Sequence, residues 1–335
     1  MEDRIKKLQE KMSGRQIDYA LINNAASIEY LTGFSFAQDT SSFFIVGKEN
    51  SVLIISVLDD VKSNKISVKK YSNQNELANS LINLIPEKSK LGIDIFSHEI
   101  YKFIKKIFKN SELEEITDFI TNLQAIKSPE EIEIIKKATK ITRNAINFGF
   151  SNYKEGMTEQ DVAAEIKKYI VSKGADYSFC TVQADENSAI PHYLTKDKII
   201  EKMFVVDVGA NYKGYSSDIS RTFLLKPDEE MKRVYELIKK AQEESIKKIK
   251  PGVQAKDIDL IARNIIEKNG YRMLHSLGHG IGIIDDCPPK VSPRSNDVLK
   301  ENMTLTIEPG IYLPGRFGIR IEDVILVKKE GYEIL

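Results

Sequence analysis

The chain has 335 residues, 41% apolar and 29% charged, the proportions of a soluble globular protein long enough for two domains. Its 49 basic and 49 acidic residues cancel, so no global field draws it to nucleic acid or to an anionic membrane surface. No apolar run reaches the roughly 18 residues of a membrane span, MEDRIKKLQEKM at the start carries no apolar signal segment, and two cysteines, Cys180 and Cys287, are too few for a disulfide framework, so a reducing cytoplasm is the expected setting.

Residues 1–125 alternate strand and helix patterns and are expected to form an α/β domain. DYALI (18–22), SFFIV (42–46), SVLII (51–55) and KLGIDI (90–95) are short β-branched or aromatic runs, while ELANSLINLI (76–85) and HEIYKFIKKIF (98–108) carry helical spacing. GKEN at 47–50 predicts a hairpin turn, and His98 reads as a surface residue opening a helix.

A second domain is expected over 126–335. SPEE at 128–131 is a capping box, with Ser128 as cap, Pro129 in the first helical position and Glu131 reaching back. An amphipathic helix follows through Ile132, Ile135, Ala138, Ile141 and Ala145. TEQD at 158–161 repeats the device before a helix that stops at Gly174. Further helices are predicted at about 228–249 and 257–268, ended by Pro251-Gly252 and Gly270. EGMTEQDVAAEIKKYIVSKGA (155–175) is similar to PGVQAKDIDLIARNIIEKNGY (251–271), with Gly252 lying 96 positions after Gly156. FVVDVGA and LTIEPGI likewise set Asp207 against Glu308, 101 positions apart, which suggests two similar halves facing each other across a pseudo-twofold axis.

The chemistry is expected where scarce histidine meets spaced acids. Asp207 follows an apolar run, a turn is predicted at 211–214, and Asp218 lies on the returning segment SSDISRTF, so one hairpin can aim two carboxylates at one point. HSLGHGIG supplies His275 and His279 among glycines, where the backbone can pass close to an ion. Glu308 ends TLTIE before Pro309-Gly310, and Glu322 sits in IRIEDVILV, where burial of an acid is costly without a cation. Singly, each has a plainer reading: Asp207 as a strand terminator, Glu322 as an edge acid paired with Arg320. Together, one imidazole and four carboxylates make a ligand set for two divalent cations, and oxygen-rich ligands suit Mn²⁺, Co²⁺, Zn²⁺ or Fe²⁺.

These motifs resemble the metallopeptidase family that contains prolidase, Xaa-Pro aminopeptidase and methionine aminopeptidase. LINNAASIEYLTGF is similar to the opening of the family's N-terminal domain, and AIKSPEEIEIIKKA to the start of its catalytic domain. The resemblance implies an N-terminal creatinase-like α/β domain followed by a pseudo-twofold "pita-bread" catalytic domain. It implies Asp207, Asp218, His279, Glu308 and Glu322 as metal ligands, His192 of IPHY and His275 as substrate-contacting histidines, and Arg320 as an arginine of the proline-specific members. A homodimer is implied as well.

One position departs from the pattern. Where the family places a second catalytic histidine and an acid, GHGIGIIDDCPP has Asp286 and Cys287. A neutral imidazole can donate a hydrogen bond to substrate, whereas an ionised carboxylate cannot, so Asp286 is expected to face substrate and to weaken turnover unless it holds a proton. Cys287 reads as a small buried residue. The implied mechanism uses two ions about 3.5–4 Å apart to acidify a water, with Glu308 as general base. The expected substrate is a small peptide with proline at its second position. Dipeptide cleavage, as in prolidase, is favoured by the single N-terminal domain; cleavage of longer peptides is the alternative, and a catalytically weakened peptide-binding member is a third reading.

Overall fold

A computed structural model describes residues 2–35, 41–95, 97–285 and 287–335. The chain divides into two compact units, Met1–Gln124 and Ala125–Leu335. Among the described residues no helix is long and apolar enough to cross a membrane.

The first unit runs α1 (Glu2–Gly14), β1 (Tyr19–Ile22), α2 (Ala25–Thr32), β2 (Phe43–Val46), β3 (Ser51–Ser56), β4 (Ser67–Tyr71), α3 (Gln74–Leu84), β5 (Lys90–Asp94), α4 (His98–Ile107), β6 (Glu112–Glu115) and α5 (Thr117–Ala125). Its six strands lie in the order β4-β3-β2-β1-β5-β6. Strand β2 is antiparallel to both neighbours, and the other pairs are parallel. The β2–β3 hairpin closes where GKEN predicts a turn, with the Gly47 amide donating to the Asn50 carbonyl at 2.8 Å. Phe43, Ile45, Ile54 and Leu91 pack with Leu81 and Ile104 of the helices. Strands β4 and β6 are the sheet edges, and their sequences, SVKKY and ELEE, show charge instead of an apolar run because edge strands stay wet.

The second unit opens with α6 (Pro129–Ser151), α7 (Glu159–Ser172), β7 (Asp176–Ala184), a 3₁₀ turn (Asp185–Ala189), β8 (Met203–Tyr212), β9 (Tyr215–Ser216) and β10 (Ile219–Leu224). It continues with α8 (Glu229–Ile246), α9 (Ala255–Lys268), β11 (Gly278–Gly280), β12 (Cys287–Val291), β13 (Thr304–Ile307), β14 (Gly310–Leu313), β15 (Phe317–Arg320), β16 (Asp323–Val327) and β17 (Tyr332–Ile334). The strands form β10-β8-β7 with β9 on β8, then β12-β11-β13-β16-β17, and a β14–β15 hairpin. The capping box of α6 is complete: Ser128 Oγ accepts from the Glu131 amide, and Glu131 Oε2 accepts from the Ser128 amide at 2.9 Å.

The two halves of this unit repeat one design. Each has a helix pair, α6–α7 or α8–α9, packed on its own sheet through an apolar core. Gly156 and Gly252 enter the second helix of each pair with φ of 90° and 87°. Gly174 and Gly270 leave it at 70° and 81°, a left-handed backbone that glycine adopts without a Cβ penalty. The first helical amides, Glu159 N and Ala255 N, donate to Lys198 O and Asp297 O, both at 2.9 Å. Equivalent bridges pair Thr158 with Ile199 and Gln254 with Val298. Hydrogen bonds this closely matched in position make the 96-residue repeat of the sequence a repeat of structure.

The halves join where β10 meets β15 and the start of β16. Thr222 Oγ1 donates to the Arg320 carbonyl at 2.8 Å, the Glu322 amide donates to the Ser220 carbonyl at 3.0 Å, and the Gly318 amide donates to Ser188 Oγ at 2.7 Å. On the second side, β11 threads between β12 and β13 with no room for a side chain at its ends: a Cβ on Gly278 would sit 2.0 Å from the Thr306 carbonyl oxygen. Gly278→Ala is therefore expected to cost about 3 kcal/mol. Gly156→Ala, which faces open space and meets only the φ penalty, should cost about 1 kcal/mol. Urea unfolding midpoints of the two variants measure this; equal losses would contradict the packing account.

Candidate active site

Every sequence-predicted ligand comes to the seam between the halves. Asp207 lies within β8, whose hydrogen bonding continues to Tyr212, so it is a mid-strand residue and not a strand terminator. The turn falls at Lys213-Gly214, both with positive φ, and the chain returns through β9 to Asp218, just before β10. His279 is the middle residue of β11, Glu308 follows β13, and Glu322 sits in the break between β15 and β16.

Single ligand atoms of Asp218, His279 and Glu322 lie within 4.8 Å of one another. His279 Nε2 is 3.8 Å from Asp218 Oδ2 and 3.6 Å from Glu308 Oε1. Asp207 joins through Ser220, whose Oγ is 2.9 Å from both Asp207 Oδ1 and Glu322 Oε2. The site opens into a cavity of about 430 Å³ lined by His192, Asp207, Asp218, His275, His279, Glu308 and Arg320. Glu322 lies beneath it, 1% exposed, so it is no edge-strand surface acid.

The electrostatics show what the arrangement lacks. Among the described residues no hydrogen-bond donor reaches the buried oxygens Asp218 Oδ1 and Glu322 Oε1. Burial, with Glu322, Asp207, Glu308 and Asp285 adding like charge, holds the Asp218 carboxyl well above its ordinary range. Burial and Asp207 push Glu322 up to about 7, against the opposing charge of Arg320. A buried carboxylate oxygen with no donor costs about 1–3 kcal/mol or more. A divalent cation removes that cost and reverses both shifts, so this donor set of one imidazole and four acids fits divalent metal.

Arg320 is the permanent cation of the site. Its Nη2 donates to Asp207 Oδ2 at 2.6 Å, Nε to Ser220 Oγ at 2.8 Å and Nη1 to Tyr312 Oη at 2.9 Å. Burial alone would lower its pKa, but Asp207, Tyr312 and Glu322 hold it well above the usual guanidinium value. Its ion-pair partner is thus Asp207, and all three of its nitrogens are hydrogen-bonded, to Asp207, Ser220 and Tyr312.

The bond to Tyr312 continues to His275, whose Nε2 is 2.9 Å from Tyr312 Oη and whose Nδ1 is 2.8 Å from the Ser276 carbonyl oxygen. A carbonyl only accepts, so the proton sits on Nδ1, and Nε2 accepts from the tyrosine hydroxyl. Burial lowers the His275 pKa to about 4, consistent with a neutral ring, and raises the Tyr312 hydroxyl to about 12. With both ring nitrogens engaged, His275 meets substrate only if Tyr312 yields. Tyr312 and Ser220 escaped the sequence reading. Their only signal was position, Tyr312 four residues after Glu308 and Ser220 two after Asp218.

His192 is exposed at the cavity wall. Asp286, expected against substrate, lies outside the described residues; the charge of its neighbour Asp285 reaches Asp218. Cys287 is buried, with its thiol pKa raised by that burial, and His98 stands at the start of α4 in the first unit.

The model of metallopeptidase family M24 matches residues 133–329, and that of the creatinase/prolidase N-terminal domain matches 4–126. The chain is 36% identical to an Xaa-Pro dipeptidase of Pyrococcus horikoshii, an alignment covering 99% of this chain and 96% of that one. The crystal structure of the prolidase from Pyrococcus horikoshii superimposes with a TM-score of 0.93 at 35% identity, covering 99% and 97% of the two chains. The X-Pro aminopeptidase from Thermotoga maritima superimposes with 0.88 at 32% identity, covering 98% and 96%.

Removing metal should expose the charge crowding as a pH dependence. The ordinary glutamate value is 4.5 and the folded value of Glu322 is about 7. Between these the folded state binds the extra proton, so stability of the metal-free protein falls as pH rises. The loss is on the order of 2–3 kcal/mol. Glu322→Gln should flatten that slope in urea titrations of chelator-treated protein from pH 4.5 to 8. An unchanged slope would mean that Glu322 is not the crowded acid.

Proposed function

The chain belongs to metallopeptidase family M24, and from that premise we propose that it is a dinuclear metal-dependent peptidase cleaving Xaa-Pro bonds, most of all those of dipeptides. The observation that carries this reading is the meeting of Asp207, Asp218, His279, Glu308 and Glu322 at one seam, where two buried carboxylate oxygens have no donor among the described residues. These five side chains would hold the ions. When bound, a metal pair (Mn²⁺, Co²⁺ or Zn²⁺) supplies a Lewis acid for the scissile carbonyl and an acidified water.

The remaining steps belong to the chain's own residues. Glu308, its backbone fixed by donation of its amide to the Leu277 carbonyl at 2.8 Å, is placed to take the proton of the attacking water and return it to the leaving nitrogen. Arg320 neutralises and aims Asp207. His192 offers an imidazole at the cavity wall to orient the peptide, and His275 fixes Tyr312 beside it. An Xaa-Pro amide has no N–H, so a site that engages the carbonyl and encloses the ring suits it better than one that requires that donor. The names of the relatives support dipeptide cleavage, and the aminopeptidase among the similar structures keeps longer peptides as the second reading.

Hydrolysis of Ala-Pro against Ala-Pro-Ala, with Mn²⁺, Co²⁺ or Zn²⁺ returned to chelator-treated protein, tests the proposal. Cleavage of the dipeptide is expected, with a loss of about 100-fold or more in kcat for Glu308→Gln while the fold persists. Hydrolysis untouched by chelation, or full turnover in Glu308→Gln, would refute the assignment of roles. We extend the reading to a cytoplasmic homodimer, motivated by the resemblance and by free Cys180 and Cys287. Light scattering at micromolar concentration should give twice the 38.0 kDa chain mass; a monomer contradicts it.

A further inference from the structure

Asp259 and Arg263 of α9 form a pair that the chemistry above does not use. Asp259 is completely buried, and Arg263 meets it with a two-pronged contact, Nε to Oδ2 at 2.8 Å and Nη2 to Oδ1 at 3.1 Å. The remaining capacity of both goes to one segment. Arg263 Nη1 donates to the Met273 carbonyl at 2.9 Å, and Nη2 donates to the carbonyl of His275 itself at 3.1 Å. Asp259 Oδ1 accepts from the Leu277 amide at 3.0 Å. The carbonyl of the same residue, Leu277, accepts from the Glu308 amide.

Residues 271–277 form no helix or strand, so their own backbone pairing does not set their path. Three of the five residues from Met273 to Leu277 are instead fastened by the Asp259–Arg263 pair. We propose that Asp259 and Arg263 are positioning residues of the active site, which hold the 273–277 segment so that His275 stands against Tyr312 and Glu308 is set against His279. A planar guanidinium suits this task, because one rigid fork reaches the carboxylate and two carbonyls together, which an ammonium on a flexible stem does not do.

The first half of the unit solves the same problem with a different acid. Glu159, in the first turn of α7 and completely buried, accepts from the Ala184 amide at 2.7 Å, from Asn187 Nδ2 at 2.9 Å and from the Lys196 amide at 2.8 Å. These partners bracket the segment that carries His192. Each half therefore fastens its histidine-bearing segment with a buried carboxylate from its second helix. Glu159 and Asp259 are not at equivalent positions of the repeat, since Glu159 matches Ala255. The two arrangements are separate solutions to one need.

The role given to the pair rests on the peptidase reading only for its kinetic consequence, so the first readout is independent of substrate. With four histidines in the chain, the ¹⁵N-imidazole spectrum of the full-length protein, loaded with Zn²⁺ to stay diamagnetic, resolves His275. In the wild type His275 should show a protonated Nδ1 and a bare Nε2. Arg263→Met should shift it toward an averaged pair of tautomers and lower kcat on Ala-Pro by tenfold or more, with KM changed less. Arg263→Lys, which keeps the charge beside Asp259 and loses the fork, should fall between, and it carries the test if Arg263→Met does not fold. Ile146→Ala, in the separate apolar core of the first half, controls for lost stability and should leave the His275 signals unchanged. Wild-type His275 signals and kcat in a folded Arg263 variant would overturn the proposal. A wild type that ignores Ala-Pro yet shows the His275 shift in the variants would refute the substrate reading and leave the positioning role standing.

Discussion

Four carboxylates drawn to one seam is the constraint on which the second unit depends. Among the described residues, Asp218 and Glu322 are almost wholly buried, each with an oxygen that no donor reaches, while Arg320 is bonded to the carboxylate of Asp207. Like charges this close cannot all stay ionised without further positive charge, and the raised positions of Asp218 and Glu322 express that conflict. Divalent cations resolve it. The fold accordingly stores in the metal-free site a cost that metal binding removes, which couples metal affinity to stability.

The duplicated architecture explains how acids distant in sequence reach one point. The repeat sets β8 and β10 of one half against β13 and the β15–β16 break of the other, so each half delivers carboxylates from its own strands. The seam is knit by Ser220 and Thr222 on one side and Arg320 and Glu322 on the other. Ser220 is its centre, because one hydroxyl lies within hydrogen-bonding distance of Asp207, Glu322 and Arg320 together. Around this centre the Arg320–Tyr312–His275 chain extends outward to the cavity wall, so the carboxylate cluster and the cavity wall share one hydrogen-bonded network.

Much of this was legible in the sequence, and the parts that were not share a physical cause. The helices of the second unit announce themselves by capping boxes and glycine stops, and the repeat by matched glycines, because those features are local. Asp207, Asp218, His279, Glu308 and Glu322 stand out because acids and imidazole in apolar or glycine-rich runs have few other reasons to be there. Tyr312 and Ser220 carry no such anomaly, since a tyrosine or serine in a strand is ordinary and only the tertiary contact gives it a role. The same holds for Asp259 and Arg263, an i,i+4 charge pair of ordinary helical spacing whose acid the fold buries completely. Apolar patterning marks strand ends poorly where polar residues interrupt it: Asp207 lies within its strand, while Glu322 falls in a break between two. Arg320 offered a plausible local partner in Glu322, two residues away, yet its bond goes to Asp207 across the seam.

These five side chains are proposed to hold a pair of cations between them. Anomalous diffraction from crystals equilibrated with Mn²⁺ tests this most directly. Two peaks about 3.5–4 Å apart, ligated by Asp207, Asp218, His279, Glu308 and Glu322, are the predicted result. No peak at the seam, or an ion bound elsewhere while the Asp218 and Glu322 oxygens keep their places without it, would contradict the account.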